Sequence, residues 1–85
     1  MPIKIIKRAV KFRATCKAQY DHLVKALIKE GCRRVNGPVA HLYVRTDGAV
    51  TWSDLEDHEY FDAHPNLELP TDEFIRMVGE DEHGD

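Results

Sequence analysis

The sequence predicts an α+β fold in two layers: a mostly antiparallel sheet of 3-4 strands, one main helix packed on one face, and a short C-terminal helix. Three observations predict it. Val10, Phe12 and Ala14 alternate with Lys11 and Arg13, the period of a half-buried strand. Tyr20, Leu23, Val24, Leu27 and Ile28 then recur at helical spacing. Finally, residues 39–45 and 49–53 are strand-like runs joined by the turn signal Thr46-Asp47-Gly48.

The same pattern allows the first strand to reach back to Arg8. The helix spans about residues 16–30, with Lys17, Asp21, Lys25 and Lys29 on its polar side, and His22 next to Asp21 there. Thr15 is its expected N-cap, and Gly31 stands where a left-handed residue closes a helix. Residues 32–35 suit a short strand ended by Asn36-Gly37-Pro38.

The hairpin's register can be argued from its side chains. A two-residue Asp47-Gly48 turn would set Leu42 opposite Ser53 and Val44 opposite Thr51, mixing apolar and polar groups on one face. A three-residue Thr46-Asp47-Gly48 loop sets Val44 opposite Val50 and Leu42 opposite Trp52. With Ala40, these four then share the core face. Since a slip of one residue inverts every side chain, the three-residue loop is expected. The opposite face then carries Lys11, Arg13, His41, Tyr43, Arg45 and Thr51, a basic surface with one aromatic.

Beyond the hairpin the chain turns acidic. Residues 54–64 hold only Leu55, Tyr60 and Phe61 as large apolar anchors, and suit a helical turn ending before Pro65. Residues 67–69 are briefly extended. A last helix starts at Thr71, where Asp72 and Glu73 suit its positive end. It buries Phe74, Ile75 and Val78 and stops at Gly79. The acidic segment and this helix are expected at the edge of the sheet. Residues 1–79 form a single domain, and 80–85 a flexible acidic tail.

Eighty-five residues, 42% of them apolar and 32% charged, make an ordinary globular chain near the lower size limit for an unstapled core. No apolar run approaches the ~20 residues of a membrane helix. The first eight residues, with lysines breaking up Ile3, Ile5 and Ile6, do not suit a signal peptide, so a cytoplasmic location is expected. Cys16 and Cys32 lie at opposite ends of the expected helix, roughly 20 Å apart at ~1.5 Å per residue. That is beyond the reach of a disulfide.

The net charge of −3 conceals a sharp division. Residues 1–45 carry eleven Lys/Arg against Asp21 and Glu30, a net +9, whereas residues 46–85 carry Arg76 against thirteen Asp/Glu, a net −12. Such asymmetry points to charged partners.

No phosphate loop, nucleophile elbow or zinc-protease helix is present, and no catalytic residue, metal site or cofactor is assigned. Asp54, Glu56, Asp57, His58, Glu59, Asp62 and His64 hold the only chemistry-bearing cluster. A cation site needs ligands converging on one point, and a local acidic run mostly radiates outward. Two surfaces remain. Lys11, Arg13, His41, Tyr43 and Arg45 on the outer sheet face suit single-stranded nucleic acid, cations meeting phosphates and Tyr43 stacking on a base. Asp54, Glu56, Asp57, Glu59, Asp62, Asp72 and Glu73 suit a basic protein surface. A third reading joins the two by self-association, basic face to acidic half.

The run from Leu42 to Ser53, followed by Tyr60-Phe61-Asp62-Ala63-His64-Pro65 and by Leu67-Glu68-Leu69-Pro70-Thr71-Asp72-Glu73-Phe74, resembles small uncharacterised α/β accessory proteins encoded by bacteriophages. The resemblance covers about residues 15–78, and its motifs are turn and packing signals. It implies a small accessory protein in the bacterial host cytoplasm, acting by occupying a host DNA-binding enzyme or defence factor. It assigns no functional residue. The expectation is therefore a non-enzymatic protein-binding accessory protein that engages a basic partner through its acidic half.

Overall fold

A computed structural model describes residues 7–33 and 37–83, with side chains as far as residue 79. The elements are β1 (Val10–Phe12), α1 (Lys17–Lys29), β2 (Ala40–Val44), β3 (Val50–Asp54), α2 (His58–Ala63), β4 (Leu67–Leu69) and α3 (Thr71–His83). The four strands lie in the order β3-β2-β1-β4; β2 is antiparallel to both neighbours, and β4 runs parallel to β1. This is an α+β fold with a mostly antiparallel open sheet.

The hairpin adopts the three-residue loop. Val44 pairs with Val50 and Leu42 with Trp52, while Arg45 N–H donates to the Ala49 carbonyl at 2.9 Å and Gly48 N–H to the Arg45 carbonyl at 3.0 Å. Gly48 sits at φ 89°, a left-handed conformation that costs a residue with a Cβ on the order of 1–2 kcal/mol.

The main core lies between the sheet and the helices α1 and α3. Val10, Phe12, Leu42 and Val44 face Tyr20, Leu23, Ala26 and Leu27 of α1 and Phe74 and Val78 of α3. The rings of Phe12 and Phe74 stand 4.8 Å apart. Helix α1 ends at Gly31, which has φ 97°. Gly31 N–H donates to the Ile28 carbonyl and Cys32 N–H to the Leu27 carbonyl, both at 3.0 Å. This is the paired closure that a glycine beyond the last turn permits, and it seats the Cys32 side chain beside Leu27 in the core.

Several local expectations are corrected. The N-cap of α1 is Cys16; Thr15 instead donates to the Gln19 side chain through both its backbone N–H and its hydroxyl. Ile28 is exposed because the stripe turns to Ala26 beneath α3. β1 begins at Val10, not Arg8. Cys32 and Arg33 form no strand, Arg33 N–H donating to the Gly48 carbonyl at 2.9 Å, and the remainder of that expected strand lies outside the described residues. Helix α3 passes through Gly79 to His83, so residues 80–83 continue the helix. Nothing packs within 4 Å of a Cβ built at Gly79: the position is open, and no contact forces the chain to turn there. Residues 1–6 and 84–85 also lie outside the description.

The largest departure concerns the second face of the sheet. The segment after β3 does not stay at the edge. It crosses the outer face as α2 and returns to the far side of β1 as β4. The sheet therefore lies between α1 and α3 on one side and α2 on the other.

Candidate functional site

The outer face closes around Lys11. Its side chain points away from the main core, as the alternation in β1 requires, yet only 5% of the residue is exposed. Burying an ammonium is costly unless its donors are met. Here the three N–H donors have three acceptors at the end of α2. Lys11 Nζ donates to the carbonyls of Phe61, of Asp62 at 3.4 Å and of His64 at 3.2 Å. These carbonyls carry the negative end of the helix, where a cation is favoured.

Phe61 is the apolar peg of this cover. It is fully buried, with Lys11 Nζ and Arg13 Cζ each 4.6 Å from its ring centroid, and the His41 ring 4.7 Å away. Burial of one such side chain contributes about 1.5–3 kcal/mol, and the two cations add attraction to the ring's face. Arg13 also bonds Asp62 at 3.0 Å and reaches Glu68 at 3.5 Å. Both partners are substantially exposed, so these pairs contribute only about 0–1 kcal/mol each.

His41 lies 2% exposed beneath α2. Its Nδ1 accepts the Ala14 N–H at 3.1 Å, which places the proton of the neutral ring on Nε2. Nε2 makes no hydrogen bond of standard geometry, although the Leu55 carbonyl is near enough to favour a proton on the ring. Burial dominates and, aided by Arg13 and His58, lowers the His41 pKa against the opposing pull of Leu55 and Asp62. Tyr43 is buried beside it, bonded through its hydroxyl to Ser53 at 2.6 Å, and it packs against His64 at 4.2 Å and edge-on to Tyr60 at 5.8 Å. Burial, and to a smaller extent Lys11, lowers the His64 pKa.

The expected nucleic-acid surface is therefore corrected. Lys11, His41 and Tyr43 are buried under α2, Arg13 is held by Asp62 and Glu68, and Arg45 is exposed but 3.4 Å from Asp47. Among the described residues of this face, no stacking platform is open. The acidic half supplies the cover, and it does so mainly with backbone carbonyls and Phe61, not with carboxylates.

The seven candidate acids remain on the surface, with different partners. Asp62 is tied to Arg13, Asp72 accepts from the Gln19 amide at 2.8 Å, and Glu73 lies 3.8 Å from Arg76. Asp54, Glu56, Asp57 and Glu59 form a separate group at the β3–α2 junction. Among the described residues none of these four pairs with a lysine or arginine, and Asp57 caps α2 by accepting the Tyr60 N–H at 3.2 Å. No three Asp, Glu, His or Cys side chains converge as metal ligands among the described residues. No helix there is long and apolar enough to cross a membrane.

Two aromatics adjoin this group, and one was misplaced by the sequence pattern. Trp52 faces the core side, opposite Leu42, as its register demands. But β3 is an edge strand, and the residue is 46% exposed, its indole lying across Gly37. A Cβ built at Gly37 would stand 3.3 Å from the Trp52 Nε1. Tyr60, on the other face of the sheet, is 52% exposed. The signal that could have found this surface was the position of Trp52 in a strand directly followed by four acids, with no later apolar run to cover it.

Compared with protein-family models, curated protein sequences and solved structures, the chain matches none.

Proposed function

We propose that this chain is a non-enzymatic binding module that engages a basic protein surface through Asp54, Glu56, Asp57 and Glu59, with Trp52 and Tyr60 as flanking anchors. The observation that carries the reading is the exposure of both aromatics beside four acids that have no cationic partner within the described residues. Tryptophan and tyrosine are the side chains that most often dominate binding energy at protein interfaces. Carboxylates around them accelerate encounter with a basic partner and exclude acidic ones. The resemblance to phage-encoded accessory proteins makes a host protein the partner class, with a DNA-binding enzyme or a defence factor as the candidates.

The test compares capture by the immobilised full chain with capture by a variant carrying Asp54→Asn, Glu56→Gln and Glu59→Gln. Asp57 is left intact because it caps α2. From bacterial lysate at low salt, the natural chain is expected to retain a basic protein that the variant and a Trp52→Ala chain lose. Recovery of the same proteins by all three would overturn the reading.

A further inference from the structure

We propose that α2 is a pH-sensitive cover, released from the sheet as a unit when acid protonates His41 and His64. The release is local, and the main core stays folded. The cover stands on its own geometry; only its consequence for partner binding rests on the acidic-surface reading above.

Two histidines hold this layer as hydrogen-bond acceptors. His41 Nδ1, on β2, accepts the Ala14 N–H at 3.1 Å, and His64 Nδ1, at the end of α2, accepts the Asn66 N–H at 3.3 Å. A protonated imidazole has no acceptor, so acid breaks both bonds and leaves each backbone donor facing another N–H. Nε2 of His41 already carries the proton of the neutral ring beside the Leu55 carbonyl. The added charge therefore gains no new partner there.

The surroundings oppose that charge. From β1, Arg13 acts against a proton on His41, and Lys11 against one on His64. From α2, the His58 ring lies 6.2 Å from His41, and the Asp62 carboxylate that would favour the proton is already bonded to Arg13 at 3.0 Å. Glu68 on β4 also reaches Arg13, at 3.5 Å. Ser53, opposite His41 on β3, is uncharged, as are Tyr43 and Tyr60, which flank His64 at 4.2 Å and 5.8 Å. Phe61 already has Lys11 and Arg13 each 4.6 Å from its ring centroid, and the charged His41 ring would be a third cation at 4.7 Å. Cations thus accumulate beneath a helix of six residues.

Helix α2 can leave alone because it packs on the opposite face of the sheet from α1 and α3. The apolar cluster around Phe12, Leu23, Leu27 and Leu42 is built without Phe61, Tyr43 or His41. Units with few core contacts open at lower free energy than the whole domain. Asp57 caps α2, and Glu59 and Tyr60 lie within it, so release dismantles the candidate surface and lets a basic partner go in acid.

Amide hydrogen exchange on the full chain tests this at about pH 7.5 and about pH 5, on either side of the histidine range. Rates are expressed as protection factors, which removes their intrinsic pH dependence. Protection at Ala14, Phe61 and His64 is expected to fall about tenfold or more in acid. It should then lie well below that of Leu23 and Leu27 in α1 and respond little to added urea, as a local opening does. A chain carrying His41→Gln and His64→Gln keeps side-chain acceptors that do not titrate, and its α2 amides should lose the pH response. Unchanged protection of α2 in the natural chain would overturn the proposal, as would α1 and α2 exchanging in acid with one protection and one urea dependence. Imidazole nitrogen NMR of the natural chain needs no variant: titration of both rings should accompany the loss of protection, and titration without that loss would also overturn it. A flexible lysine-rich peptide separates the two claims. It is expected to bind more weakly in acid; binding at neither pH would overturn the acidic-surface reading, while the exchange data still decide the cover.

Discussion

Lys11 donates to the backbone carbonyl of Phe61, and that one bond joins the first strand to the end of a helix fifty residues later. The division between a basic first half and an acidic second half is thus partly resolved within the molecule. The cations of β1 hold α2 in place, and four acids without a cationic partner among the described residues, Asp54, Glu56, Asp57 and Glu59, lie where the chain leaves β3.

Replacing Lys11 by Met would remove all three donors from the carbonyls of Phe61, Asp62 and His64. Hydrogen bonds to a charged group contribute about 1.5–3 kcal/mol, against which the released cost of burying the ammonium must be set. The Phe61 carbonyl keeps the His64 N–H at 3.2 Å, but the Asp62 and His64 carbonyls lose the ammonium, and a net loss of about 1–2 kcal/mol is expected in urea unfolding. Phe61→Ala empties the centre of the same cover and is expected to cost about 3–5 kcal/mol. An unchanged unfolding midpoint for either variant would contradict the role assigned to α2.

Acidification should destabilise the fold through His41 and His64. Both pKa values are lowered from 6.5, chiefly by burial, so the unfolded chain takes up protons more readily than the folded one. Their contribution is present above the unfolded pKa of about 6.5 and is lost as pH falls below it. The geometry agrees, since a proton on His41 Nδ1 would abolish acceptance of the Ala14 N–H. Urea midpoints should fall between pH 7.5 and pH 5, roughly the range around the histidine pKa, and the slope should flatten in a His41→Gln variant. A stability independent of pH across that range would refute this reading.

The two thiols should differ sharply in reactivity. Cys16 is exposed at the start of α1, whereas Cys32 is buried and its pKa is pushed up to about 11, by burial first and by Glu30 second. Thiolate is the reactive form. Iodoacetamide at neutral pH is expected to alkylate Cys16 and spare Cys32 until denaturant is added, as peptide mass mapping will show.

Gly48 occupies a left-handed conformation against the end of α1. A Cβ there would stand 3.3 Å from the Gly31 carbonyl oxygen and 3.6 Å from the Cys32 Cα. Gly48→Ala should therefore cost more than the conformational penalty of about 1 kcal/mol. Gly79 in α3, where a Cβ would meet nothing within 4 Å, offers the contrast, and Gly79→Ala should stabilise by up to about 1 kcal/mol. Thermal unfolding of the two variants in opposite directions is the expected outcome.

Much of the fold was legible because its signals are local. The apolar pairs Val44–Val50 and Leu42–Trp52 decided the hairpin register, and Gly31 marked the end of α1. What escaped depends on placement across the sheet. Lys11 alternates like a solvated residue, and no periodicity distinguishes a cation in water from one met by three carbonyls. The segment containing Phe61 looked too polar to cover a face, because its contribution comes from one ring and from backbone oxygens. Trp52 has the register of a core residue; only the strand order, which places β3 at an edge, exposes it. The acids of the candidate surface are visible as a run in the sequence, but their separation into paired and unpaired groups depends on the path of α2.

The most direct test of the central claim is an NMR titration of the full chain with a flexible lysine-rich peptide at low salt. The account expects the largest shifts at the Trp52 indole N–H and the amides of residues 54–60, fading as salt screens the charges. Shifts centred on Arg45, on the acids of α3, or spread evenly over every carboxylate would contradict it.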